Sequence, residues 1–147
     1  MAEGRTGRCL CGAVSYVVHD DVKDVSVCHC TMCQRWSGGI HVGFEASAGG
    51  VTFAGEENIT VYKSSEWAER AFCKICGSPV YYRITAEGPM HGAYAMEAGT
   101  LDSRDGLPLA KEIFVDQKPD GYAFAGDHPR MTEREFLTSI GVELPEA

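Results

Sequence analysis

Seven cysteines stand in three tight clusters, Cys9-x-Cys11, Cys28-x-Cys30-x-x-Cys33 and Cys73-x-x-Cys76. Thiolates so closely spaced converge readily on one ion, whereas near neighbours seldom reach disulfide geometry with each other. The odd count also leaves a closed disulfide framework one partner short. The pattern predicts metal ligation, with Zn2+ as the ion that sulfur sets of this kind commonly hold.

The seven divide as four plus three. Cys11 and Cys76 are each followed by a glycine, Gly12 and Gly77, whereas Cys33 is followed by Gln34. Glycine there permits a tight turn whose backbone N–H groups aim at sulfur and offset its charge. Cys9, Cys11, Cys73 and Cys76 are therefore assigned to a closed structural zinc. Cys28, Cys30 and Cys33 remain as a second, open zinc site with a position left for water or substrate. Three readings of this middle cluster stay open at the level of sequence. It is an open zinc site, a zinc closed by His29 or His41, or a metal-free group of redox thiols.

An open site of three thiolates has a distinctive chemistry. Zinc and three thiolates carry one net negative charge, so the metal is a weaker Lewis acid than one held by histidines. Such a site suits a soft thiol substrate, kept as thiolate against a free-thiol pKa of about 8.5. On that reading Cys28, Cys30 and Cys33 are the catalytic group.

The elements that must position these clusters read mostly as strands. Alternating or β-branched runs occur at Ala13–Val18, Val25–Val27, Ile40–Phe44, Val51–Phe53, Ile59–Tyr62, Glu69–Phe72, Pro79–Ile84, Ala93–Met96 and Glu112–Val115. Gly, Pro and Asp punctuate them, which predicts a mainly β fold. Helix signals are few. Thr132-Glu133-Arg134-Glu135 is a capping box opening a short terminal helix that Gly141 stops, and Gln34-Arg35-Trp36 marks one further turn of helix.

The 147 residues suit one domain, with a core at about 7–125 and a helical tail at about 131–141. A formal charge of −8 disfavours nucleic acid and anionic membrane surfaces as partners. No apolar run reaches the roughly 18 residues of a membrane span, and the start lacks the apolar core of a secretory signal. A cytoplasmic location is the expectation.

These residues resemble the glutathione-dependent formaldehyde-activating enzyme (Gfa-like) family. The resemblance is carried by Gly7-Arg8-Cys9-Leu10-Cys11-Gly12-Ala13-Val14-Ser15-Tyr16 and by Cys28-His29-Cys30-Thr31-Met32-Cys33. It continues through Tyr62-Lys63-Ser64-Ser65, then Arg70 to Pro79 with its two cysteines, and ends on Ala98-Gly99-Thr100-Leu101-Asp102. It implies a β-tent of coiled antiparallel sheets organised around a structural zinc. It implies the same division of cysteines, with the central three holding a catalytic zinc that binds glutathione sulfur. The implied reaction adds that thiol to formaldehyde to give S-hydroxymethylglutathione, a carbon–sulfur lyase reaction in reverse. The chain departs from the family at Gln34, where Arg is common, and Arg35 follows.

Other residues carry weaker expectations. His29 could shuttle a proton, although extended backbone should turn its side chain away from its neighbours. Arg35, Arg70, Lys74 and Arg83 are candidates for substrate carboxylates or for plain solvation. Trp36, Tyr81 and Tyr82 read as core or pocket wall. His41, His91, His128, Glu97 and Asp102 carry no assigned role. Two further functional readings stand beside the lyase: a non-catalytic zinc module that binds a protein, and a thiol reductase.

Overall fold

A computed structural model describes residues 4–142 of the chain. In order, the strands are β1 (Arg5–Arg8), β2 (Ser15–Val18) and β3 (Val25–Cys28). Helix α1 (Thr31–Ser37) follows, then β4 (Val42–Ala46), β5 (Val51–Ala54), β6 (Ile59–Lys63), β7 (Ala68–Cys73), β8 (Pro79–Ile84) and β9 (Tyr94–Glu97). The chain closes with β10 (Leu109–Ile113), β11 (Arg130–Met131) and α2 (Glu133–Ser139). Eleven strands and two short α-helices among the described residues make the fold mainly β. Among the described residues no helix is long and apolar enough to cross a membrane.

The chain divides into two compact units. The larger comprises Met1–Lys23 and Gly43–Leu107, the smaller Asp24–Val42 and Pro108–Ala147. In the larger unit β2 pairs antiparallel with both β1 and β5. A second antiparallel sheet runs β4-β9-β8-β7-β6, with Phe44 opposite Met96 and Tyr81 opposite Met96 from the other side. Alternation puts Val14, Val18, Phe44, Ala71, Val80 and Met96 inside, all at most 1% exposed. Phe53, Tyr81 and Tyr94 add an aromatic cluster, the two tyrosines edge-to-face at 5.0 Å.

The smaller unit differs in kind. Here β10 lies between β3 and β11 and pairs in parallel with both, against the antiparallel sheets that the family resemblance implies. The reason is connectivity. The chain leaves this unit after Val42 and returns at Pro108, so β3 and β10 are not joined by a hairpin. The strand read at Glu112–Val115 ends earlier than its pattern suggests. Phe114 takes the left-handed conformation (φ 58°), and a 3-10 turn over Val115–Gln117 follows. Its ring rests 5.8 Å from Phe136 of α2. At α2 the capping box is present in both directions, between Thr132 and Glu135. Gly141 sits in the left-handed region just beyond the helix.

Candidate metal centres

Two of the cysteine clusters read from sequence meet in the larger unit. Cys9 and Cys11 lie on the loop between β1 and β2, while Cys73 ends β7 and Cys76 lies on the turn that leads to β8. One ligand atom from each lies within 4.8 Å of the others. The Sγ atoms of Cys9 and Cys11 are 3.7 Å apart, and those of Cys11 and Cys73 are 3.8 Å apart. A disulfide would need about 2.0 Å. Sulfurs at the corners of a tetrahedron around zinc, with Zn–S near 2.3 Å, stand about 3.8 Å apart. The donor set and spacing therefore fit a four-coordinate zinc and exclude bridged cysteines.

The two glycines do what the turns require. Gly12 and Gly77 have φ of 82° and 79°, and each N–H closes a turn onto the carbonyl of the first cysteine in its pair. The loops then aim N–H groups at sulfur: Val14 N to Cys9 Sγ at 3.3 Å, and Ile75 N to Cys73 Sγ at 3.4 Å. Ser78 Oγ lies 3.2 Å from Cys76 Sγ, and this contact leads in holding the Cys76 thiol down at about 5. Cys9 is also lowered: burial and Cys76 push it up, but the Val14 N–H and the thiols of Cys11 and Cys73 win. Cys11 is pushed up to about 11 despite the N–H of Ala13, by desolvation and by the three thiols around it. Several sulfurs so close together cannot all ionise without a cation between them.

The third cluster gathers in the smaller unit. Cys28 ends β3, Cys30 is the N-cap of α1, and Cys33 lies in its first turn. Their sulfurs lie within 4.8 Å of one another. Cys30 Sγ accepts the backbone N–H of Cys33 at 3.2 Å, so the helix starts here because a thiol caps it. At the other end Gly38 supplies the left-handed C-cap. The Cys28 thiol is driven far above its ordinary range, by the sulfurs of Cys30 and Cys33 and then by burial. Among the described residues no His, Asp or Glu joins these three sulfurs. Neither His29 nor His41 joins the three sulfurs, so the group is a set of three. Either cluster could hold a metal ion.

His29 is 1% exposed, and its ring is turned onto Glu112, with Nε2 2.8 Å from Oε1. Tyr122 and Phe124 stack obliquely on it at 6.1 and 6.0 Å. Glu112 is 2% exposed, and its other oxygen meets His128 Nε2 at 2.6 Å and Arg130 Nε at 2.9 Å. Burial pushes the Glu112 carboxyl up. The hydrogen bonds from His128 and His29 and the charge of Arg130 outweigh it and hold the group below the ordinary carboxylate range. Sequence reasoning missed Glu112, Gln117 and Arg130 and left His128 without a role. A single Glu in a strand-like run gives no sign of being buried.

The amide nitrogen of Gln34 is taken up by backbone. It donates to the carbonyls of His29 (2.6 Å) and Gln117 (3.0 Å), while Gln117 Oε1 accepts the N–H of Thr31 at 2.8 Å. The residue that departs from the family's Arg therefore clips the cysteine loop to the segment after β10. Of the other candidates, Arg70 is 4% exposed with its guanidinium 5.0 Å from the Tyr82 ring centre, and Arg83 pairs with Glu69 at 3.3 Å. Both serve the larger unit's own packing.

A mainly β protein with one four-sulfur and one three-sulfur cluster is the class that fold and sites define. A family model for the glutathione-dependent formaldehyde-activating enzyme matches residues 4–117, and the chain belongs to that family. An uncharacterized lyase of Schizosaccharomyces pombe is 30% identical over 135 residues, which cover 91% of this chain and 95% of the lyase. A phosphoribosyl imidazole-carboxamide isomerase of Acinetobacter baumannii is 34% identical over 77 residues, only 32% of its own length. The crystal structure of a Rhodobacter sphaeroides protein shares the fold, with a TM-score of 0.56 and 22% identity over 71% of this chain and 99% of that one.

Proposed function

We propose that the protein is a zinc-dependent enzyme of carbon–sulfur bond chemistry, joining a glutathione-like thiol to formaldehyde. The observation that carries this reading is the central group itself. Three cysteines converge, and among the described residues no fourth His, Asp or Glu closes the set. Zinc bound there would offer an incoming thiol a seat and keep it as thiolate. Family membership and the lyase-named relative support the same class of reaction.

The chain's own contribution is placement. Cys28, Cys30 and Cys33 would hold the ion, with Cys30 fixed at the helix start and Cys28 at the strand end. In the reaction the thiol sulfur bonds to the aldehyde carbon. The carbonyl π pair moves to oxygen, which takes up the proton that the thiol released. The product is the S-hydroxymethyl thioether, and the reverse reaction cleaves the carbon–sulfur bond. His29 is no candidate for carrying that proton, since its ring is spent on Glu112 and shielded from solvent. Cys9, Cys11, Cys73 and Cys76 would hold a second, structural zinc.

Metal analysis of the purified protein should return two zinc ions per chain. With cobalt in place of zinc, glutathione should change the sulfur-to-metal absorption, and Cys30→Ser should abolish that change. No response to glutathione, together with no acceleration of S-hydroxymethylglutathione formation, would overturn the reading. A reducible disulfide among Cys28, Cys30 and Cys33 that turns over an oxidised substrate would replace it with a reductase.

A further inference from the structure

We propose that Glu112, acting through His29, is a positioning residue that sets the geometry of the Cys28–Cys33 loop. The inference rests on the reading of that loop as a metal site.

His29 is the residue between two of the three cysteines, and three of its polar groups are tied down. Its N–H donates to the carbonyl of Ile113 at 3.0 Å. Its carbonyl accepts from Gln34 Nε2 at 2.6 Å, and its ring meets Glu112 at 2.8 Å. Glu112 is in turn fixed on its second oxygen by His128 and Arg130. Arg130 is held by the carbonyls of Phe124 (2.9 Å) and Gly126 (3.0 Å). The chain of contacts thus runs from a folded-back segment, through a buried carboxylate, to the one residue that spaces Cys28 from Cys30.

Stability alone does not account for this construction. Burying an ionised carboxylate is costly, and apolar side chains of similar volume hold a sheet at least as well. What the network provides is a defined position, and it ends on the loop whose three sulfurs must meet one ion. Groups behind metal ligands commonly act this way, orienting the ligands and raising affinity. Here the oriented group is a backbone loop rather than a ligating ring. Two of the members, His128 and Arg130, lie beyond the 4–117 stretch that the family model covers.

The test uses the full chain loaded with cobalt, titrated against a chelator. The four-cysteine cluster serves as an internal control for folding. Glu112→Gln should lower cobalt affinity at the central cluster by about 10- to 100-fold and shift its absorption bands, with the outer cluster unchanged. Wild-type affinity and spectrum in a folded Glu112→Gln protein would overturn the proposal. If that variant does not fold, His128→Gln decides, because it keeps the carboxylate and its bonds to His29 and Arg130. An intermediate loss with a shifted spectrum supports the clamp; a wild-type response overturns it. A wild-type protein that loads no cobalt centrally overturns the enzyme reading and this inference together, whereas unchanged variants overturn the inference alone.

Discussion

The two cysteine clusters use the same side chain to opposite ends. The outer cluster joins loops far apart in sequence: Cys11 and Cys73, in contact, are 62 positions apart. An ion bound there would close a long loop and cross-link β1–β2 to β7–β8, which restricts the unfolded chain far more than a local contact does. The central cluster spans only Cys28 to Cys33 and closes almost nothing. An ion there would add little to folding, and the loop must instead be held by protein, through Gln34, Ile113 and the His29–Glu112 contact. The difference teaches where chemistry is affordable. A site that does not carry the fold can leave a coordination position open.

The sharpest way to break this contrast is to remove one sulfur from each cluster. Cys73→Ser should forfeit much of the stabilisation of a structural zinc, about 10 kcal/mol, and leave a chain without native circular dichroism. Cys30→Ser should keep the native spectrum and lose one metal equivalent. Equal unfolding in both variants would erase the distinction.

A smaller effect separates the two units by pH. The folded pKa of Glu112 lies below its ordinary value of 4.5. Its contribution is therefore complete above that value and lost as pH falls through the depressed one. Chemical denaturation should show Glu112→Gln less stable than wild type by roughly 2–4 kcal/mol near neutral pH, with the gap closing in acid. A gap that stays constant down to pH ~2 would show that the ionised carboxylate is not its source.

The least effect is expected at a turn of the outer cluster. Gly77 has φ of 79°, and a Cβ there would meet nothing within 4 Å. Gly77→Ala should cost only the left-handed conformation, about 1 kcal/mol, read as a drop of a few degrees in Tm with the metal content unchanged. Loss of the outer metal in this variant would mean that the turn has no tolerance and that the cluster depends on N–H placement as much as on sulfur.

Much of this was legible in the chain. Cysteine spacing announces metal clusters, and Gly12 and Gly77 mark the tight turns because only glycine enters the left-handed region cheaply. Strand alternation located most of the larger unit's sheet, and the capping box at Thr132 located α2. The parallel pairing of β3, β10 and β11 was not legible, since it depends on where the chain returns after a long excursion. Nor was the left-handed Phe114, which ends β10 inside a run of strand formers.

By itself the sequence determined which atoms could bind metal, because ligand chemistry and short spacing are local properties. Gly12 and Gly77 also gave the division into four and three, while the tertiary structure brings the four sulfurs of two distant hairpins together and, among the described residues, sets no His, Asp or Glu with the other three. Only the tertiary structure decided that His29 turns away onto Glu112, a partner 83 positions off. Burial and long-range pairing arise from packing, and no window of sequence contains both halves of such a contact.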